Sequence, residues 1–199
     1  MSIIKAIAIC VAWVVAFVGY NGVKDLLQWL RKHKNRPRLV ISIQNPTFTE
    51  ATVEEQGTVR FYHLRVLNMG RTNAADCRVR VLAVWKEANQ DNILGTGAVP
   101  LHWAHQPLDV DTRDVCHGEF VELDLVTQAA ASPSLLSLFG TTEKTDGLRK
   151  VYEPGSYILK LRVTADNHVA TDLRVRIEHP GAWDKPPKLT QLKQSVTGD

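Results

Sequence analysis

Residues 3–20 are almost entirely apolar, and Lys5 is the one charged side chain among them. A helix of eighteen residues rises about 27 Å, which is close to the roughly 30 Å hydrocarbon core of a bilayer. We therefore expect a transmembrane helix within residues 1–22. A cleaved signal peptide, with residues 6–18 as its apolar region, is the alternative. The length of the apolar run and the position of Trp13 favour the anchor.

Residues 23–37 form an amphipathic and basic segment, which Pro37 ends because proline cannot continue a helix interior. Basic residues that flank a span favour the cytoplasmic side of the membrane. The sequence therefore predicts a single-pass protein of the cell membrane, with its N-terminus outside and its C-terminal domain in the cytoplasm. The side chains expected to contact anionic membrane lipid are Arg31, Lys32, Lys34, Arg36 and Arg38.

After residue 38 the helical spacing gives way to an alternation of apolar and polar residues. Turn residues separate seven alternating segments, at residues 39–44, 58–67, 77–85, 93–103, 121–125, 157–163 and 169–177. We interpret residues 47–57 as a loop, residues 129–138 as one helical turn or an apolar loop, and residues 180–199 as a disordered tail. The pattern predicts a mainly β domain over residues 38–179, folded as a seven-stranded antiparallel β-sandwich behind one N-terminal transmembrane helix.

Two short motifs support this prediction. Residues 62–70, continued by residues 74–79, resemble the V-x-N-x-G … A-x-x-V-x-V hairpin of prokaryotic immunoglobulin-like sandwiches of the CARDB kind. Residues 153–157, Glu-Pro-Gly-Ser-Tyr, are similar to the P-G-x-Y entry to a late strand in such domains. The resemblance covers residues 58–85 and 153–178. It implies an immunoglobulin-like fold, and a role in binding or scaffolding more often than in catalysis.

Tyr157 stands at the start of one predicted strand. A tyrosine in this position can bury its ring and return its hydroxyl to backbone nearby. We therefore expect Tyr157 to stabilise the domain.

The formal net charge of +3 is unevenly distributed, because residues 1–38 carry +6 and leave −3 for residues 39–199. A mildly acidic domain is not expected to be a general nucleic-acid binder. Of the three cysteines, Cys10 lies in the predicted span, which leaves Cys77 and Cys116 for the domain. One disulfide between them is possible but is not implied, and two lone thiols fit a reducing compartment.

Basic residues alternate with apolar ones in three of the predicted strands, so that in each strand they share one side. If the three strands lie in one sheet, these cations form a patch able to bind phosphates or another anionic ligand. An ordinary solvated sheet face is the alternative. The candidate residues are Arg78, Arg80, Lys160, Arg162, Arg174 and Arg176.

A second polar cluster follows residue 101 and contains ligand types that suit zinc. Two of its histidines are three residues apart, so they require a turn or a helix to point the same way. A polar loop at the end of the sandwich is the alternative. The weak metal candidates are His102, His105, Cys116 and His117.

The chain contains no G-x-S-x-G, G-x-x-x-x-G-K-[ST], H-E-x-x-H or G-x-G-x-x-G motif, and we predict neither an enzyme nor a cofactor. The expected function is that of a membrane-anchored binding or scaffold protein, which presents its β-sandwich to a protein partner or to another copy of itself. The alternatives are a sensor of an anionic ligand, either a lipid headgroup or nucleic acid, and a metal-binding domain.

Overall fold

The computed structural model describes residues 19, 21–29, 35–54, 57–88, 92–94, 97–107, 110–139 and 151–192. Contacts divide the chain into two compact units, Met1–Arg36 and Pro37–Asp199. In the first unit, residues 19 and 21–29 are the described helical residues, and we call this segment α1. About half of the surface of each of its large apolar side chains is exposed, at Val23, Leu26, Leu27 and Trp29.

The predicted membrane anchor is contradicted. Within the described ranges no helix is long and apolar enough to cross a membrane. The described residues of α1 include the charged side chains of Lys24 and Asp25. The predicted span at residues 1–22 lies almost wholly outside the described residues, as do Arg31, Lys32 and Lys34 of the predicted membrane-surface set. The single-pass location is contradicted together with the anchor, and the membrane-surface role of Arg36 and Arg38 stays a prediction.

The described residues of the second unit form twelve strands. They are β1 (Leu39–Val53), β2 (Gly57–Asn68), β3 (Ala74–Lys86), β4 (Val99–Pro100), β5 (His102–Trp103), β6 (Arg113–Val115), β7 (Phe120–Ala129), β8 (Leu136–Leu138), β9 (Val151–Tyr152), β10 (Gly155–Ala165), β11 (His168–His179) and β12 (Lys188–Leu192). One sheet has the order β1-β2-β7-β8-β9, with β5 also paired to β7. The other has the order β12-β11-β10-β3-β4, with β6 also paired to β3.

Alternation along the long strands builds one hydrophobic core from the inner faces of both sheets. In β10, for example, Leu159, Leu161 and Val163 are at most 1% exposed, and the residues between them are not buried. The mainly β class agrees with the sequence pattern, but the prediction of seven strands is wrong. The additional strands are mostly two or three residues long, which is too short for alternation to be recognised.

The predicted fourth strand, residues 93–103, is in fact interrupted. Its β4 portion pairs with β3 in one sheet, and its β5 portion pairs with β7 in the other. Between them, the backbone N–H of Leu101 donates to Val79 O, and the Leu101 side chain is fully buried. The chain therefore crosses from sheet to sheet here, and Pro100, which has no N–H, stands next to the crossing.

Two segments predicted to be irregular belong to strands. The predicted loop at residues 47–57 is largely the second half of β1, which pairs with β2 after a bulge between Ile43 and Phe48. The predicted disordered tail contains β12, in which Leu189 is buried and pairs with Ile177. Residues 193–199 of that tail lie outside the described part of the chain.

Aromatic and charged contacts explain why the segment before β12 is ordered. The guanidinium of Arg60 lies 3.8 Å from the ring centroid of Trp183 and 5.0 Å from that of Phe48. Its Nη1 also donates to the Trp183 carbonyl, and its Nε lies 2.8 Å from Glu50 Oε1. Cation–π contacts of this kind contribute roughly 0.5–2 kcal/mol each. The contacts with Arg60 hold Trp183 against the first sheet, although the segment before β12 has no hydrophobic periodicity that predicts an ordered element.

The expectation for the Tyr157 hydroxyl is confirmed. The side chain is 4% exposed, and the hydroxyl donates to Glu153 O at 2.7 Å.

Candidate functional site

Three adjacent strands of the second sheet, β11, β10 and β3, present a basic outer face. In β3, for example, Arg80 stands between the buried residues Val79 and Val81. Since successive side chains of a strand point to opposite faces, the basic side chains point away from the core. All six predicted cations lie on this surface, which we call the basic face: Arg78 and Arg80 on β3, Lys160 and Arg162 on β10, and Arg174 and Arg176 on β11.

The strand register places like charges directly opposite each other on the basic face. Arg80 pairs with Arg162 across β3 and β10, and Lys160 pairs with Arg174 across β10 and β11. Directly opposed side chains have Cβ atoms about 5 Å apart, and like charges at that spacing destabilise a sheet. The arrangement concentrates positive charge at the centre of the sheet.

Asp172 offsets part of this charge. It lies opposite Arg162, which binds it with two hydrogen bonds, Nε to Oδ1 at 2.6 Å and Nη2 to Oδ2 at 2.9 Å. Lys160 Nζ is 3.4 Å from Asp172 Oδ2. The hydrogen bonds from Arg162 lower the pKa of Asp172 despite the opposing effect of burial, and the same contact raises the pKa of Arg162.

Two further cations of the basic face contact acids from neighbouring segments. Arg78 Nε is 3.8 Å from Asp111 Oδ2, and Arg176 binds Glu87. Arg80 and Arg174 are exposed, and neither has an ion pair within the residues that the structure describes. These two guanidinium groups are therefore the ones available to an external anion.

An apolar patch adjoins the cations. Trp85 on β3 is opposite Ile158 on β10, which in turn is opposite Arg176 on β11. Directly opposed residues share a face, so all three side chains lie on the basic face. Trp85 and Ile158 are both half-buried. The basic face thus combines a tryptophan, an aliphatic side chain and arginines.

A second polar arrangement lies on the outer face of the first sheet, and we call it the histidine row. It consists of Thr49 on β1, His63 on β2, Asp124 on β7 and His102 on β5. Asp124 is opposite His63 on one side and opposite His102 on the other. Thr49 Oγ1 lies 2.7 Å from His63 Nε2, and His63 Nδ1 lies 2.7 Å from Asp124 Oδ1. The second of these pairs is at ion-pair distance, although the ring N–H is not in line with the oxygen.

The surroundings of His102 favour its charged form. Nδ1 faces Asp124 Oδ2 at 3.3 Å, and Nε2 faces Gln106 O at 2.8 Å and Pro107 O at 3.2 Å. Both ring nitrogens can donate only in the imidazolium. The hydrogen bond to Asp124 raises the pKa of His102 against the opposing effect of burial.

Asp124 responds in the opposite direction. Burial acts to raise the pKa of Asp124, but the hydrogen bond with His102 and the contact with His63 outweigh it, so the pKa is lowered. The Asp124 side chain is 8% exposed and that of His102 is 5% exposed. The two form a buried ion pair.

No family model, curated protein or solved structure matches this chain. The suspected resemblance to CARDB-like immunoglobulin-like domains is therefore contradicted.

Turn chemistry explains the motif on which that resemblance was based, because Asn68 is buried and organises the hairpin end. Its Oδ1 accepts from the N–H groups of Gly70 and Arg38, and its Nδ2 donates to Thr72 O and Val115 O. Such bonds suit many antiparallel hairpins.

The predicted metal candidates are not brought together. Among the described residues, no group of three or more His, Cys, Asp or Glu side chains could hold a metal ion. His102 is engaged with Asp124, and His117 Nδ1 contacts Gly70 O. His105 and Cys116 are exposed.

Thr49, His63 and Asp124 were not among the predicted site residues. Alternation in β2 and β7 indicated that His63 and Asp124 lie outside the apolar rows. That signal could not show that the two strands pair, nor that these two residues are opposite each other. Thr49 lay in a segment interpreted as a loop.

Proposed function

We propose that this protein is a binding module that takes an acidic surface of a protein partner on its basic face. The observation that carries the proposal is the placement of Arg80 and Arg174. Both are exposed, both stand opposite another cation, and neither has an acidic partner in the described structure. An anionic partner would relieve the cross-strand repulsion and form charge-assisted hydrogen bonds.

The composition of the basic face supports a protein as the partner. Residues that contribute most to protein–protein affinity are enriched in Trp and Arg, and here Trp85 and Ile158 adjoin Arg176. Binding of single-stranded nucleic acid relies on several stacking aromatics. Trp85 is the one aromatic residue among the outward positions of these three strands. The net charge of −3 over residues 39–199 also favours a local contact over general polyanion binding.

The test compares charge reversal on the basic face with the same reversal elsewhere. The variant is Arg80→Glu with Arg174→Glu. The matched control is Arg71→Glu with Lys185→Glu, which changes the net charge equally at exposed positions outside the three strands. The probe is an immobilised peptide rich in glutamate and leucine, and its affinity for the full chain is measured at low and at high salt.

We expect the Arg80/Arg174 variant to lose up to about thirtyfold in affinity at low salt, because each of the two exposed ion pairs is worth roughly 0.2–1 kcal/mol. The control variant is expected to stay within about twofold of the wild type. Trp85→Ala should weaken binding at high salt as well, since its contribution is apolar. Equal losses in the reversal and control variants, or tighter binding to an oligonucleotide than to the peptide, would overturn the proposal.

A further inference from the structure

The hydroxyl of Thr49 is placed as a nucleophile would be, in the histidine row and away from the basic face. Thr49 is exposed on β1, the edge strand of the first sheet, and its Oγ1 is 2.7 Å from His63 Nε2. An activated nucleophile is recognised by a base within hydrogen-bond reach and a third group that orients the base. His63 and Asp124 occupy these two positions.

The charges around His63 determine which of its nitrogens carries the proton. Nδ1 lies 2.7 Å from Asp124 Oδ1, although its N–H is not in line with that oxygen, and we assign the proton of a neutral His63 to Nδ1 because this nitrogen faces the carboxylate. In this tautomer Nε2 is an acceptor, and the Thr49 hydroxyl, 2.7 Å away, can donate to it. His102 occupies the other oxygen of Asp124. The carboxylate thus contacts both histidines, and its charge favours the tautomer in which His63 can take a proton from Thr49.

Aromatic side chains provide an apolar surface next to this hydroxyl. Phe61 is directly opposite Thr49 in the β1–β2 register and precedes His63 by two residues, so it lies on the same face. The Phe139 ring packs edge-on against both Phe61 and His102, with centroids 5.5 Å apart in each case. Phe61 and Phe139 are half-buried and thus partly accessible. An ester with a short apolar acyl chain fits this combination of hydroxyl, base and aromatic surface.

We propose that Thr49 is a catalytic nucleophile toward carboxylic esters, with His63 as its general base and Asp124 as a positioning residue. Thr49 Oγ1 attacks the ester carbonyl while its proton passes to His63 Nε2. The bond between the carbonyl carbon and the leaving oxygen then breaks, and His63 returns the proton to that oxygen. The products are an alcohol and acyl-Thr49. Water, deprotonated by the same nitrogen, attacks the acyl group, releases the carboxylic acid and restores the threonine.

The experiment uses the full chain and 4-nitrophenyl butyrate as the probe. Release of nitrophenolate is measured, and the acylated residue is located by mass spectrometry of quenched protein. Thr49→Val removes the hydroxyl at an exposed position and keeps a β-branched shape. The matched control is Thr52→Val, at another exposed threonine of the same strand.

We expect the wild type to carry the acyl group on Thr49, and Thr49→Val to lose both the adduct and at least about a hundredfold of the acylation rate. Thr49→Ser should retain the adduct, and Thr52→Val should match the wild type. An adduct on another residue, or the same rate in Thr49→Val as in the wild type, would overturn the proposal. Because position 49 is exposed, this outcome does not depend on a buried substitution that fails to fold.

Two further variants examine the residues behind Thr49. His63→Gln should remove acylation while the unfolding midpoint shows a folded protein. Asp124→Asn should slow acylation at pH 8, where circular dichroism shows whether the variant is folded, and Asp124→Glu, which restores a carboxylate, should recover part of the rate. Equal acylation rates in folded Asp124→Asn and in the wild type would assign Asp124 a structural role only and would contradict its positioning role.

Discussion

Replacing Asp124 by asparagine is expected to destabilise the fold strongly and in a pH-dependent way. The carboxylate is opposite His102, whose two ring nitrogens face acceptors, so the substitution leaves a buried imidazolium without its anion. Removing one member of a buried ion pair costs about 3–5 kcal/mol. The position is 8% exposed, so solvent screening reduces this figure little.

The direction of the pH dependence follows from the two pKa shifts. The pKa of Asp124 is lowered, so its contribution to the stability of the fold is present above pH 3.8, the ordinary value of the pKa. This contribution is lost as the pH falls through the lowered pKa. The pKa of His102 is raised, so its contribution is complete below 6.5 and is lost as the pH rises through the raised pKa. The ion pair therefore stabilises most between about pH 4 and pH 6.5.

The assay is urea unfolding at pH 5.5 and at pH 8, followed by circular dichroism. We expect the free energy of unfolding of Asp124→Asn to be about 3–5 kcal/mol lower than that of the wild type at pH 5.5. The loss should be clearly smaller at pH 8, because a neutral His102 in the variant needs no buried counter-ion. The control is Glu122→Gln on the same strand, which breaks a partly exposed contact with Arg65 and should cost at most about 1 kcal/mol. A loss at pH 5.5 no larger than the control, or equal losses at both pH values, would refute this account of the charges.

Two further substitutions test features of the second unit by the same unfolding assay. Tyr157→Phe removes the hydrogen bond to Glu153 O and should cost about 1 kcal/mol, so an unchanged midpoint would show that the bond adds nothing. Gly181→Ala should destabilise the protein more than Gly118→Ala. The φ angle is positive at both positions, +80° and +74°, but only at position 181 would the new Cβ meet the Pro154 side chain. A smaller loss of stability for Gly181→Ala than for Gly118→Ala would contradict the close approach of the Pro154 side chain to Gly181.

The long strands could be predicted from the sequence because each buries one row of side chains over five or more positions. The second half of β1 could not, because Pro46 and a bulge interrupt its alternation. β12 could not either, since its order depends on Trp183 contacting Arg60, which is more than a hundred residues earlier. Contacts between residues so far apart in the sequence leave no local pattern of apolar and polar residues from which they could be predicted.

For the candidate sites, too, local alternation could be predicted from the sequence, and the pairing of distant strands could not. Alternation placed each pair of basic residues on the outer side of its own strand, and only the strand order joined the three pairs into one face. The pairing of β3 with β10 decides this, and it connects segments about seventy residues apart. For the histidine row, the sequence contained the residues, but the opposition of His63 and Asp124 depends on the register of β2 against β7.

The central position of β3 in the second sheet has a consequence for synthesis of the protein. Residues 74–86 hydrogen-bond to Gly155–Ala165, so this side of β3 has no partner until β10 has left the ribosome. Topologies dominated by such distant pairings fold slowly, typically in milliseconds to seconds, and expose unpaired edges meanwhile. A nascent chain that ends near residue 130 should therefore bind holdase chaperones through β3, and one that extends past β11 should be released.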